Sequence, residues 1–119
     1  MIGSDLTVSA LSTTTSIAAG SAFTIGDTTR NLAAATSINT TTRFYLSKDK
    51  VVGADDVILK ERTIGPLAFG ASSIGSTPAT MPAGTTAGTW YIIAVADALN
   101  QVTEISEANN LRAFTITVP

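Results

Sequence analysis

Four oxygen-bearing side chains near the middle of the sequence have the composition of a cation site. Proteins hold Ca²⁺ with several oxygen atoms that flexible loops supply. A short segment with three carboxylates and a glycine nearby therefore makes Ca²⁺ the one candidate cofactor. The metal site would be formed by Ser47, Asp49, Asp55 and Asp56.

Two lysines in the same segment oppose a bound cation. Lys48 and Lys50 flank Asp49, and the segment lacks the terminal bidentate Glu of an EF-hand loop. Aspartates also close turns by accepting hydrogen bonds from nearby backbone amides. The alternative interpretation is a solvated loop that its aspartates hold in shape without a metal.

A second group of acidic and amide side chains precedes the last predicted strand. Such oxygen atoms could hold a cation or a sugar. Asn and Asp also tolerate left-handed backbone and bond to adjacent amides, so a structural role is the competing interpretation. A joint site with the first loop requires both loops to lie at one end of the fold. The group comprises Asp97, Asn100, Glu104, Glu107, Asn109 and Asn110.

The residue types needed for catalysis are scarce. The 119-residue chain has no cysteine and no histidine, which excludes thiol nucleophiles and imidazole bases. The pairs Asp55/Asp56 and Glu104/Glu107 could do acid–base work, but adjacent residues of an extended segment point apart. We expect no enzyme activity and no catalytic residue.

Seven short segments of alternating polarity, separated by turn residues, predict an all-β fold. Seven such strands in about 100 residues are typical of a seven-stranded immunoglobulin-like or fibronectin III-like antiparallel β-sandwich. The predicted strands are 5–11, 23–31, 40–47, 57–64, 72–81, 89–97 and 111–118. The predicted inward residues are Leu6, Val8, Phe23, Ile25, Phe44, Leu46, Ala79, Met81, Trp90, Ile92, Ala94, Ala96, Phe114, Ile116 and Val118.

The sixth predicted strand is apolar on both faces. Trp90 falls in the inward register, so a core position is favoured over stacking on a sugar. Tyr45, Tyr91 and Ile93 fall on the opposite face. A central strand explains them, or they form a patch against a neighbouring module.

The net charge and the length of the apolar runs limit the kinds of partner that the chain can bind. A net charge of −2 without a basic stripe predicts no nucleic-acid binding, and the longest apolar run, 90–96, is too short to insert in a membrane. We interpret residues 1–4 as an expression start or linker remnant, and 5–119 as a single domain. The isolated domain is expected to be a monomer, since the terminal Pro119 cannot extend an edge strand.

Several runs along the chain resemble the CARDB family, the "cell adhesion related domain found in bacteria". The most specific are Tyr-Leu-Ser-x-Asp from Tyr45 and Glu-x-x-Glu-x-Asn-Asn from Glu104, and the resemblance covers 5–118. Family members often have a further Asp after Asp49, where this chain has Gly53.

The resemblance implies a sandwich that recurs in tandem within large secreted or surface proteins. We expect a non-catalytic structural or adhesion module, a spacer or interaction repeat of a larger bacterial protein, secreted or on the cell surface. Its partners would be neighbouring domains of the same polypeptide and a surface protein or glycan. The alternative function is a Ca²⁺- or glycan-binding module that uses the acidic end loops.

Overall fold

The chain folds as two antiparallel sheets packed face to face. The computed structural model describes residues 6–31, 39–50, 56–96 and 111–119. Within these ranges there are seven strands and no helix, so none that could cross a membrane. The strands are β1 (Leu6–Ser12), β2 (Ala22–Asn31), β3 (Thr40–Ser47), β4 (Val57–Ile64), β5 (Ser72–Thr80), β6 (Gly88–Val95) and β7 (Leu111–Val118).

The strand order confirms the predicted sandwich. One sheet has the order β1-β2-β5 and the other β4-β3-β6-β7, and every neighbouring pair is antiparallel. The observed bounds equal the predicted ones for β3, β4 and β7 and differ by at most two residues at any end of the other four strands. Met81, predicted inside the fifth strand, follows it directly, and Asp5 and Asp97 lie outside the described residues.

The core lies between the inner faces of the two sheets. Because successive side chains of a strand point to opposite faces, the alternating apolar residues meet there. All predicted inward residues are buried except Trp90 and Phe114, which are half-buried and pack against the core. Leu11, Ile17, Ile64 and Leu67 complete it.

Ile93 decides between the two interpretations of the sixth strand. It lies outside the core cluster between the sheets, as an outer-face residue should, yet its exposed fraction is 0 % because β6 is a central strand. It pairs with Tyr45 on β3 and Ala113 on β7. Because Ile93 is fully buried within the chain, the part of the predicted inter-module patch that rested on it is wrong.

The sandwich has a Leu6 end and a Val118 end. The segment after β1 runs parallel to the end of β7, with Ile17 N donating to Thr117 O at 3.0 Å and Thr117 N donating to Thr15 O at 2.8 Å. β1 and β7 therefore run in the same direction. The described chain enters the sandwich at one end and leaves it at the other.

Candidate functional site

The first predicted site begins where β3 ends. The amide of Asp49 donates to Ser47 Oγ at 3.2 Å, and that hydroxyl donates to Asp49 Oδ1 at 3.0 Å. Ser47 is buried, whereas Asp49 is exposed. These reciprocal bonds close a tight turn of the type that short polar side chains form with nearby backbone.

Two ammonium groups lie beside this turn. Lys48 Nζ lies 4.9 Å from the centre of the Trp90 ring, and Lys50 Nζ lies 5.7 Å from that of Tyr91. Trp90 Nε1 donates to Thr86 O at 2.8 Å, which fixes the indole. Positive charge over an aromatic face is attracted to it. The two lysines therefore bring positive charge to the end of the sandwich where the acidic loop begins.

The other members of the acidic loops are less fully described. Asp56 is half-buried directly before β4, and Asp55 lies outside the described residues. Within the described ranges, no three His, Cys, Asp or Glu side chains come together as a metal site. The whole second group lies outside the described residues: Asp97, Asn100, Glu104, Glu107, Asn109 and Asn110.

The two acidic loops start from different ends of the paired strands β3 and β6. β3 and β6 are antiparallel, and Ser47 pairs with Tyr91 while Arg43 pairs with Val95. The first loop therefore starts at the Val118 end, and the second follows β6 at the Leu6 end. Four residues of a strand span about 13 Å. The juxtaposition that a joint site requires is not provided by these strands.

A buried ion pair joins the two sheets, and the sequence analysis missed it. Arg62 on β4 donates from Nε to Asp27 Oδ1 at 2.8 Å and from Nη2 to Asp27 Oδ2 at 3.0 Å. The Asp27 side chain on β2 has an exposed fraction of 0 %. Arg62 also donates to Ser73 Oγ at 2.9 Å and Ser73 O at 2.7 Å. The guanidinium thus bridges β2, β4 and β5.

Hydroxyl groups extend this bridge into the sandwich. Thr29 Oγ1 donates to Asp27 Oδ2 at 3.3 Å and lies 2.9 Å from Thr42 Oγ1 on β3. One signal in the sequence could have found the pair. Asp27 falls in the inward register that Phe23 and Ile25 define, and a buried carboxylate needs a cationic or hydrogen-bonding partner.

Gly75 leaves the room that Arg62 occupies. A Cβ atom at Gly75 would lie 2.5 Å from Arg62 Nε, 2.6 Å from Cζ and 2.8 Å from Cδ. Any larger residue would displace the guanidinium from its four hydrogen bonds. Gly75 on β5 is therefore a component of the inter-sheet bridge.

A second ion pair lies on the outer face of the four-stranded sheet. Arg43 Nη2 lies 2.5 Å from Glu61 Oε2, and Arg43 Nη1 donates to the Tyr45 hydroxyl at 3.4 Å. The hydrogen bonds to Tyr45 and then to Glu61 raise the pKa of Arg43 above its ordinary value. This pair links β3 to β4 at the surface and leaves the guanidinium charged.

Comparison with solved structures identifies the architecture. The CARDB domain of a Pyrococcus furiosus protein, solved in complex with di-metal ions, is similar with a TM-score of 0.73 and 21% identity, over 98% of this chain and 90% of that one. A domain assigned to a cell-surface protein of Methanosarcina acetivorans is similar with a TM-score of 0.62 and 19% identity, over 100% and 94%. These likenesses confirm the predicted immunoglobulin-like sandwich.

Some enzymes contain a similar sandwich as a small part of their length. A β-glucosidase from Erythrobacter marinus is similar with a TM-score of 0.63 and 13% identity, over 98% of this chain but only 16% of the enzyme. A search of curated proteins finds no significant match. The likeness to the enzyme therefore concerns the fold of one of its parts.

The family model for CARDB matches residues 3–114, which is nearly the whole chain. CARDB domains are a family of non-catalytic modules. The predicted resemblance is confirmed, and the chain belongs to the CARDB family.

Proposed function

We propose that this domain is a rigid spacer or adhesion repeat of a larger secreted or cell-surface protein. The observation that carries the proposal is the direction of β1 and β7, which both run from the Leu6 end to the Val118 end. Domains joined before β1 and after β7 would lie on opposite sides of the sandwich. An eight-residue strand such as β7 alone spans about 27 Å.

Two further features support a spacer. The Arg62–Asp27 bridge ties one sheet to the other, so the sandwich resists sliding of its layers. The likeness to a domain assigned to a cell-surface protein fits a location outside the cell. Its partners would be neighbouring domains of the same polypeptide and a surface protein or glycan, without nucleic acid or membrane insertion, and the isolated domain would be a monomer in dilute solution.

Small-angle X-ray scattering of two copies joined in series tests the spacer role. The expected maximum dimension is about twice that of one copy, since the junctions lie at opposite ends of each sandwich. The control is the single domain at the same mass concentration. A two-copy protein hardly longer than one copy would contradict the proposal, because the copies would then be folded back side by side.

A second candidate function is ligand binding by the acidic loops. The ligand would be Ca²⁺, held by the loop that contains Ser47, Asp49, Asp55 and Asp56, or a glycan. The favouring observation is that a CARDB domain of similar fold was solved in complex with di-metal ions. The opposing one is the positive charge of Lys48 and Lys50 at the same loop.

Thermal unfolding with millimolar CaCl₂ and with EDTA tests this second function. A ligand that binds only the folded state raises the Tm. An increase in CaCl₂ that Asp49→Asn removes would support a calcium site at this loop. An identical Tm in CaCl₂ and EDTA would rule it out, and a glycan array would then test the sugar.

A further inference from the structure

The outer face of the three-stranded sheet has an uncharged centre. The strand register places Ser12, Gly26 and Ser76 in one row across the sheet. The next row on the same face consists of Ala10, Thr28 and Ile74. None of these six side chains carries a charge.

A hollow and a projection lie side by side on this face. The hollow has a volume of about 200 Å³ and is lined by both rows, including Gly26, and by Asp27 and Gly75, which lie between the rows. Ile74, diagonal to Gly26 on the neighbouring strand, has an exposed fraction of 82 %, the highest of the large apolar residues that the structure describes. A cavity of this size is large enough to take an aliphatic side chain.

The space above Gly26 is only partly filled by its own chain. Gly26 lies in the central strand of the sheet, where glycine weakens pairing, and its φ is outside the left-handed region. A Cβ there would meet Ser12 Oγ at 3.3 Å, the end of a rotatable side chain, and Ser12 O at an ordinary 3.7 Å. Gly75, in contrast, is explained by the guanidinium above it. A glycine in mid-strand often marks a bulge, a bend or the close approach of a ligand or another backbone, and the hollow beside Gly26 leaves room for such an approach.

We propose that this face pairs weakly with the same face of a second copy of the chain, Ile74 of each copy entering the Gly26 hollow of the other. A contact between identical faces must be self-complementary, and a projection next to a hollow meets that requirement. A two-fold axis in the contact plane, midway between Ile74 and Gly26, exchanges the two features. The absence of charge in the six-residue centre removes the repulsion that a charged face would have for its own copy.

Charged residues lie around the uncharged six-residue centre. Arg30 stands in the next row, on β2 opposite Ser72, and so lies at the rim of the contact. The other sheet, in contrast, carries Arg43 and Glu61 on its outer face. Within the part of the chain that the structure describes, the outer face of the three-stranded sheet thus combines an uncharged centre, a hollow and an apolar side chain that is 82 % exposed.

The size of the face predicts a weak contact. Three strands about 4.8 Å apart and about nine residues long give a face of roughly 400 Å² per copy. The total of roughly 800 Å² is below the range of stable specific interfaces. The domain is thus expected to be a monomer in dilute solution and to pair where many copies are concentrated on one surface, since tethering raises the effective concentration.

Sedimentation equilibrium and ¹⁵N chemical shifts of the full chain test the pairing between about 50 μM and about 2 mM. The wild type should show reversible dimers, with concentration-dependent shifts centred on β2 and β5. Gly26→Val places a side chain in the hollow, its Cβ at 3.3 Å from the rotatable Ser12 Oγ and at 3.7 Å from Ser12 O, and Ile74→Ser removes the projection. Each should weaken self-association at least about tenfold.

The matched control is Ile58→Ser, which removes an isoleucine that is 53 % exposed on the other sheet. It should associate like the wild type. A wild type that stays monomeric at the highest concentration overturns the proposal, as do Gly26→Val and Ile74→Ser variants that dimerise like the wild type. Thermal unfolding of each variant shows whether it is folded, and Gly26→Val should unfold no lower than the wild type because valine favours strands.

Discussion

Arg62 donates a hydrogen bond to each carboxylate oxygen of Asp27 across the interface of the two sheets, at 2.8 and 3.0 Å. The two residues are separated by 35 positions in the chain, and one of them is completely buried. An ion pair in this setting does not need to make a large net contribution to the free energy of folding, because both charges lose hydration. Removing only the arginine should be strongly destabilising, since the remaining carboxylate would stay buried without its cation.

We therefore predict that Arg62→Met lowers the free energy of unfolding by about 3 kcal/mol. The double variant Asp27→Leu, Arg62→Met should regain much of that loss, because no unpaired charge remains in the sandwich. Urea unfolding of the wild type, both single variants and the double variant measures the coupling. Additive losses would show that the pair does not act as a unit.

Gly75→Ala should be destabilising although alanine is the smallest possible enlargement. Its Cβ would lie less than 3.0 Å from three atoms of Arg62, and the guanidinium is fixed by four hydrogen bonds. Gly65→Ala is the matched control, since a Cβ there meets nothing within 4 Å. We expect a loss of about 2 kcal/mol for the first and a change within about 0.5 kcal/mol for the second.

The mechanism of the Gly75 effect can be checked in the Arg62→Met background. If the clash with the guanidinium causes the loss, Gly75→Ala should cost far less once Arg62 has been replaced. An equal loss in both backgrounds would locate the cause in the β5 backbone instead.

The surface pair Arg43–Glu61 should contribute much less than the buried one. Glu61 is largely exposed, so we expect Arg43→Met to lower the free energy of unfolding by about 0.5 kcal/mol, and less in high salt. Because folding raises the pKa of Arg43, its stabilising effect is complete below the ordinary Arg pKa and is lost only as the pH rises through the higher folded value. The difference in the free energy of unfolding between the wild type and Arg43→Met should stay constant from neutral to moderately alkaline pH. A marked pH dependence there would contradict the assignment.

The contact between Lys48 and Trp90 should be detectable in the fluorescence of Trp90, the single tryptophan of the chain. Lys48→Met removes the ammonium group 4.9 Å from the ring of Trp90, which should shift the tryptophan emission and lower the stability by about 0.5 kcal/mol. Lys60→Met, on the edge strand β4, is the control for the loss of a charge. Identical emission spectra for Lys48→Met and the wild type would show that the lysine does not rest on the indole in solution.

The strands were predictable because their signal is local. Alternation with period two fixes which side chains face the core, and residues such as Leu6, Phe44 and Ile116 follow it. The Arg62–Asp27 bridge was not predictable in the same way, because it depends on which strand of one sheet faces which strand of the other. The inward register of Asp27 indicated that a partner was needed, without indicating which one.

The acidic loops illustrate the same limit. Their composition suggested oxygen-rich sites, but composition does not reveal where a strand ends in space. Only the pairing of β3 with β6 places Ser47 and Val95 at opposite ends of the sandwich. Ile93 is a further case, since alternation assigns a side chain to a face and does not say whether that face is covered.

The parallel contact between the segment after β1 and the end of β7 has a mechanical consequence. A pull on Leu6 and Val118 in opposite directions acts along both strands, because the two strands run the same way. The hydrogen bonds of Ile17 and Thr117 are then loaded in shear and must break together, whereas bonds loaded at one end would open one after another. Tension along the polypeptide is therefore resisted where the segment after β1 is hydrogen-bonded to β7.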